Sequence, residues 1–421
     1  MTRAVFPGEC SIITLNLLSY DKSKKIAFID QMASIDIYES ILNPLIVCKF
    51  KMNDGIGLYK SFPISGNELI ELEYKTTGYD DVTKLLLKIT SVSNRSSTSM
   101  GRSVSYTITA VSNEIVKNNS SAIQKRFLDI PPEEIIQDIL TNDLKTDKRC
   151  YLEPCKGTQN FLISQLKPLQ VIDRVRLSST SKEFQSSAFV FFENRTGFNF
   201  TTVENMFKLG KDAIGDKIFV MDSNVNADIT KSSFRNIIGY NHVTAGAPVG
   251  GIGGGSHYNR AVRVDLRTGM IDEKEFRLPE QEGNFQFADK NPVGLTNSTL
   301  QQDASTPQGT TLIYPMHSRF SDNGRLEAIG PRQSFVNLLT QNIVRICVFG
   351  DSLLSAGQVV TLKIPTMTGL TGNEQTASDD PLVSGNYLIG KIRHMIVNEV
   401  GALTYTCAIE ALKGSYGEST V

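Results

Sequence analysis

The sequence predicts an α+β, mostly β protein: two similar antiparallel β-barrel domains, an intervening small α+β domain and an insertion. Three observations predict this fold. Apolar and polar residues alternate with a period of two from Leu45 to Val111, and strands resume at Ile343 to Phe349, Val359 to Pro365, Asn386 to Ile396 and Leu403 to Leu412, with a polar loop at Thr366 to Val383. Helical patterns lie between these regions. The two alternating regions resemble one another, and 421 residues are enough for two to four domains of ordinary size.

In the first region, at 1–117, Ile46, Cys48, Phe50 and Met52 alternate with Lys49 and Lys51, and Ile70, Leu72 and Tyr74 with Glu71 and Glu73. Tyr106, Ile108 and Ala110 alternate with Ser105, Thr107 and Thr109. These are half-buried antiparallel strands, with turn chemistry at 53–55 and 65–67 and a mobile Ser- and Thr-rich loop at Asn94 to Arg102.

The character changes at 118–229, the small α+β domain. Pro131 and Pro132 precede Glu133 and Glu134, acids suited to a first helical turn, and Ile135, Ile136, Ile139, Leu140 and Leu144 mark one apolar face. A second helix starts at Pro168, and Ala188 to Phe200 reads as a hairpin turning at Asn194 to Gly197.

Strands return at 230–275 and 341–421, the second, discontinuous barrel domain. Between its first strands, Gly246 to Gly255 is glycine-rich, but no Gly-Lys-Ser/Thr opens a helix there, so a flexible loop is expected and not a phosphate cradle. The 276–340 segment is polar and weakly periodic, which predicts an insertion of sparse regular structure.

The repeat aligns Leu86 to Ile89 and Tyr106 to Ala110 with Leu388 to Ile392 and Tyr405 to Ile409. Upstream, each set has an apolar strand running to an Asp (Asp54, Asp351), then a Gly (Gly66, Gly357) and another alternating strand.

Composition excludes more than it identifies. Forty-three Lys and Arg against 44 Asp and Glu leave a net charge of -1, unlike a basic nucleic-acid binder or a disordered polyelectrolyte. Asn236 to Asn259, the longest stretch without Asp, Glu, Lys or Arg, is too rich in glycine to span a membrane, and no export signal is expected. The six cysteines are too sparse for a disulfide scaffold, and Cys150 and Cys155, the close pair, have no neighbouring His to complete a zinc-ligand spacing. His242, His257, His317 and His394 are scattered. Neither a Gly-x-Ser-x-Gly elbow nor a His-Glu-x-x-His helix is present, and Glu133 and Glu134 serve as helix-start acids. No enzyme, metal or cofactor is expected. The lack of Trp also disfavours a sugar-binding platform.

Several segments, in order, resemble the baseplate hub proteins of contractile-tailed bacteriophages and the hub part of type VI secretion spike proteins. They are Tyr38 to Pro44, Ile64 to Ile70, the Tyr106 strand, Ala188 to Phe200, Tyr258 to Asp265, and Tyr387 to His394 before a Tyr405 strand. The resemblance implies a virion protein of the tail baseplate with two tube domains per chain. It implies a homotrimer that adapts a sixfold tail tube to a threefold central spike. Its expected partners are the tail tube protein, the spike, other baseplate proteins, and genomic DNA that passes through the lumen without specific binding. A cell-wall-degrading tail enzyme and a component of a non-phage contractile injection system are the alternatives.

If Val104 to Val111 and Leu403 to Leu412 are equivalent tube strands, Tyr106, Ile108, Tyr405, Cys407 and Ile409 face the core. Thr107, Thr109, Thr406 and Glu410, with Lys391 and Arg393 of the adjoining strand, then form the candidate interface.

Overall fold

The structure is a computed structural model. It describes residues 7–58, 62, 64–97, 103–184, 186–212, 217–221, 235–245, 254–278, 287–289, 291–292, 310–316, 323–366, 379–399 and 402–416. The chain opens with β1 (Cys10–Leu18), β2 (Lys25–Ala27), β3 (Met32–Ser40), β4 (Val47–Asp54), β5 (Leu69–Thr76), β6 (Thr83–Ser97) and β7 (Val104–Ser112). A mixed region follows: α1 (Glu114–Ser120), β8 (Ile123–Ile130), α2 (Pro132–Asp138), β9 (Cys150–Leu152), β10 (Gln159–Leu166), α3 (Pro168–Arg176), β11 (Phe189–Asn194), β12 (Gly197–Thr202) and α4 (Val203–Asp212). Then come β13 (Ile218–Val220), β14 (Ile237–Ala245), β15 (Tyr258–Asp265), β16 (Ile271–Arg277), β17 (Asn291–Pro292), β18 (Thr310–Met316) and α5 (Arg325–Leu339). The last strands are β19 (Asn342–Phe349), β20 (Val359–Lys363), β21 (Gly385–Glu399), β22 (Ala402–Lys413) and β23 (Ser415–Tyr416).

Among the described residues, thirteen strands form one sheet, and its order reveals the duplication. Strands β3, β4, β7, β6 and β5 are neighbours in that order, each pair antiparallel. Strands β14, β19, β22, β21 and β20 repeat the order and the directions. The registers correspond as well: Ile108 lies opposite Phe50 as Cys407 lies opposite Val348, and Ala110 opposite Cys48 as Ile409 lies opposite Ile346. Each copy also bulges in its 15-residue strand, between Ile89 and Ser91 in β6 and between Ile389 and Lys391 in β21. The internal repeat read from alternation is therefore a repeat of topology.

The two copies are joined edge to edge. Strand β21 carries β20 along Gly385 to Leu388 and then, on the same side, takes β3 along Lys391 to Val397. A single hydrophobic core spans both copies, with Tyr74 of the first meeting Tyr405 of the second edge-on at 6.3 Å between ring centroids. The mixed region has its own core, in which Ile135, Ile136, Ile139 and Leu140 pack with Val171, Ile172, Phe189 and Phe200.

The helices at Pro132 and Pro168 and the 188–200 hairpin form as expected, Asn194 pairing with Gly197 across the turn. Three expectations need correction. Asn94 to Ser97 are not loop but the end of β6, since Ser96 and Ser97 pair with Ser105 and Val104. Residues 258–275 do not join the second strand set, because β15 pairs with β16 and β18 in a separate three-stranded sheet. The 276–340 segment is not uniformly sparse: α5 buries Ala328, Phe335, Leu338 and Leu339. Gly330 and Pro331 hide this helix in the sequence, since both normally break helices. Here Gly330 is needed for close approach, as a Cβ there would lie 2.8 Å from Asn259 Oδ1 and 2.9 Å from Phe276 Cβ. Within the expected glycine-rich loop, residues 246–253 lie outside the described residues.

Candidate assembly surface

Period-2 alternation gives the long sheet one apolar and one polar face. Tyr106, Ile108, Tyr405, Cys407 and Ile409 are all at most 2% exposed, whereas Thr107, Thr109, Thr406 and Glu410 alternate with them on the half-exposed face. The core-facing assignment therefore holds residue by residue.

The six candidate interface residues do not form one patch. Thr107 and Thr109 lie on β7, separated from Thr406 and Glu410 on β22 by β4, β3 and β21. Thr107 and Thr406 occupy equivalent places in the two copies, whereas Thr109 corresponds to Ala408 and Glu410 to Val111. On the second copy, Glu410 accepts hydrogen bonds from Lys391 Nζ at 2.7 Å and from Arg345 Nη2 at 2.9 Å. Partial burial opposes its ionisation, but the Lys391 and Arg345 hydrogen bonds outweigh this and hold the carboxyl below its usual range.

Arg393 sits on the seam between copies. Its guanidinium donates to Asp36 Oδ1 from Nε at 3.1 Å and from Nη2 at 2.9 Å, and stacks over the Tyr38 ring at 5.6 Å. Sequence reasoning missed Asp36 and Arg345, although a charged residue inside the apolar 32–41 run was a signal of a buried partner.

Buried carboxylates dock the 188–200 hairpin on both copies. Glu39 on β3 accepts backbone N–H bonds from Arg195 and Ala356, each at 3.0 Å, and burial pushes its carboxyl up to about 8. Glu193 on β11 accepts from the Ile46 N–H at 3.1 Å and from Lys148 Nζ at 2.6 Å, and Lys148 also reaches Glu114 at 2.7 Å. Burial raises the Glu193 carboxyl despite the Lys148 charge.

The histidine nearest the candidate interface turns inward. His394 is 1% exposed, with Nδ1 2.7 Å from Tyr405 Oη and 3.3 Å from Cys407 Sγ, and burial lowers its pKa to about 3. An imidazole so enclosed is neutral and meets no substrate. A cleft of about 290 Å³ lies where the hairpin and α4 meet the loop before β20, and among the described residues its lining includes Arg149, Lys217, Tyr151 and Gln358 but no His, Cys, Asp or Glu. Among the described residues, no group of three His, Cys, Asp or Glu side chains is arranged to hold a metal ion. No helix among them is long and apolar enough to cross a membrane.

No protein-family model and no curated protein matches the chain. Solved structures do. A tail protein from Neisseria meningitidis MC58 is 10% identical, with 95% of this chain and 96% of that one covered at a TM-score of 0.57. The 43 kDa tail protein of prophage MuSo2 from Shewanella oneidensis is 9% identical, with 95% and 98% covered at a TM-score of 0.54. A prophage tail protein from Listeria monocytogenes EGD-e is 10% identical, with 95% and 94% covered at a TM-score of 0.48. At this identity the likeness concerns the fold, and it extends over nearly the whole of both chains in the first two cases: the chain has the mostly β fold of these tail proteins.

Proposed function

We propose that this chain is a structural protein of a viral tail, a baseplate hub whose two tube domains let three chains present six similar units to a sixfold tail tube while staying threefold towards a central spike. The observation that carries this reading is the repeated strand order, β3-β4-β7-β6-β5 and β14-β19-β22-β21-β20. Duplication within one chain lets a threefold ring display a sixfold surface. In this reading 1–117 and the strands of 230–275 and 341–421 that join the long sheet are the tube domains, and 118–229 is the domain between them. The role is that of a non-enzymatic virion component whose ring forms part of the conduit for DNA ejection.

Light scattering tests the reading. The mass should equal one chain, or three when the ring assembles, and micrographs down the axis should show a ring. A stable dimer or hexamer would overturn it. The lumen should also ignore duplex DNA near physiological salt, since each Lys or Arg held by a phosphate would slow transit. Sub-micromolar affinity with a steep salt slope would count against a conduit.

A further inference from the structure

The cleft between the mixed region and the second copy combines apolar walls with positive charge that has no partner. Phe192 and Phe198 of the hairpin, Met206 of α4 and Val359 of β20 supply the walls. Gly357 lets them close up: a Cβ there would lie 2.6 Å from Phe192 Cζ and 3.1 Å from Met206 Sδ. Two large lining side chains stay open to solvent, Tyr151 at 37% and Leu209 at 50% exposed. Covering their carbon with a ligand is favourable.

Arg149 and Lys217 line the same cleft, and among the described residues neither has a carboxylate within ion-pair distance. The neighbouring Lys148, by contrast, holds Glu114 at 2.7 Å and Glu193 at 2.6 Å. Asp351, the acid whose field reaches Lys217, is already held by Arg235 at 3.0 Å. Burial and the Arg235 charge lower the pKa of Lys217 more than Asp351 raises it. An anion beside Lys217 would offset both.

A chain of hydrogen bonds leaves one further donor free. Thr201 Oγ1 donates to Glu153 Oε2 at 2.8 Å and so accepts from Asn205 Nδ2 at 2.9 Å. The same amide nitrogen donates to Tyr151 Oη at 2.8 Å. The Tyr151 hydroxyl proton is thereby turned away from Asn205, and among the described residues it has no acceptor.

We propose that this cleft binds a small organic anion, with an apolar body between the walls and a carboxylate or phosphate head held by Arg149, Lys217 and the Tyr151 hydroxyl. Its volume of about 290 Å³ lies at the lower bound of the roughly 300–1,000 Å³ of small-molecule sites, so the body is a single ring or a short chain. Such a ligand touches the hairpin, α4 and the loop before β20 at once, and so fastens the mixed region to the second copy. The site does not depend on the hub reading.

Calorimetric titration with phenyl phosphate, benzoate, inorganic phosphate and benzyl alcohol tests the proposal. Phenyl phosphate or benzoate should bind about tenfold or more tightly than benzyl alcohol, which lacks the charge, and than inorganic phosphate, which lacks the ring. The tighter of the two identifies the head. Arg149→Gln and Lys217→Gln should each weaken that binding about tenfold while the ligand-free melting temperature stays near the parent's, and Lys217→Arg should recover part of the loss. Tyr151→Phe, which keeps the ring, should weaken it severalfold. Leu209→Glu, at a half-exposed position, places a like charge at the cleft and should weaken it without unfolding the chain. Saturating ligand should raise the melting temperature of the parent and not that of the Arg149→Gln, Lys217→Gln double variant. Equal affinity for benzyl alcohol, binding that survives the double variant, or no binding of either ring-bearing anion at up to about 10 mM would overturn the site. Inorganic phosphate bound as tightly as phenyl phosphate would overturn the apolar half of it. A ring by light scattering and micrographs without ligand binding removes the site and leaves the hub reading, and ligand binding by a stable dimer does the reverse.

Discussion

Arg393 and Asp36, 357 positions apart in the chain, are ion-paired at 2.9 Å across the seam where the second strand set meets the first. The Asp36 side chain is 7% exposed and that of Arg393 41%, so the carboxylate is the partner that depends on the pair. Arg393→Ala should leave a nearly buried charge without its main donor and cost about 1–3 kcal/mol, seen as a lower melting temperature. Asp36→Asn in that background should recover part of the loss, and a thermal double-mutant cycle would measure the coupling. Additive effects would show that the pair does not hold the seam.

The two faces of the paired strands should respond in opposite ways to charge. Ile108→Asp or Ile409→Asp buries an unpaired carboxylate at a site at most 1% exposed and should cost several kcal/mol, reducing soluble yield or melting temperature. Thr107→Lys or Thr406→Lys adds a charge on the half-exposed face and should leave the subunit folded. If that face meets a neighbour or the tail tube, the Thr variants should lose attachment at an unchanged melting temperature.

Gly350 holds the space that Tyr405 occupies. A Cβ at position 350 would lie 2.0 Å from Tyr405 Cγ, and the fully buried ring has no free direction in which to retreat. Gly350→Ala should therefore destabilise by about 1–3 kcal/mol or more through overpacking. Gly55→Ala, with nothing within 4 Å of the added carbon, is the control expected to melt close to the parent. Equal melting of the two variants would refute this packing.

Two buried groups give stability opposite slopes with pH. Glu39, raised from 4.5 to about 8 by burial, keeps its proton in the folded chain where the unfolded chain has released it, so its contribution falls as pH rises through that window. His394, lowered from 6.5 to about 3 by burial, stays neutral while the unfolded chain takes up a proton, so stability falls as pH drops below 6.5. The melting temperature should peak between about 4.5 and 6.5, where these slopes oppose each other. Glu39→Gln should flatten the alkaline limb relative to the parent, and His394→Gln the acid limb. Unchanged limbs in both variants would show that other groups govern the profile.

Much of the fold was legible in the sequence because a half-buried strand writes its burial into alternate positions. Tyr106, Ile108, Tyr405, Cys407 and Ile409 could be assigned to the core from that pattern, and the repeat could be aligned through Asp54 with Asp351 and Gly66 with Gly357. What alternation does not encode is which strand lies beside which. The β21–β3 seam joins segments more than 350 positions apart by backbone hydrogen bonds that any residue can make, so neither its position nor the Arg393–Asp36 pair was visible. Helix α5 was missed for a different reason: tertiary packing against Asn259 and Phe276 favours a glycine where intrinsic propensity argues against helix. At the candidate surface, the outward direction of Thr107, Thr109, Thr406 and Glu410 was legible, but their separation by three intervening strands was not.

Strand β21 holds β22 along one edge and both β20 and β3 along the other. Opening it would release ladder hydrogen bonds on three strands at once and expose the core shared by both copies. Such a strand belongs to the last part of a protein to open, and it ties together the two halves that repeat one strand order. Duplicates joined by a flexible tether could unfold one at a time. Here the loss of either copy removes backbone partners from the other, so the two halves should unfold together.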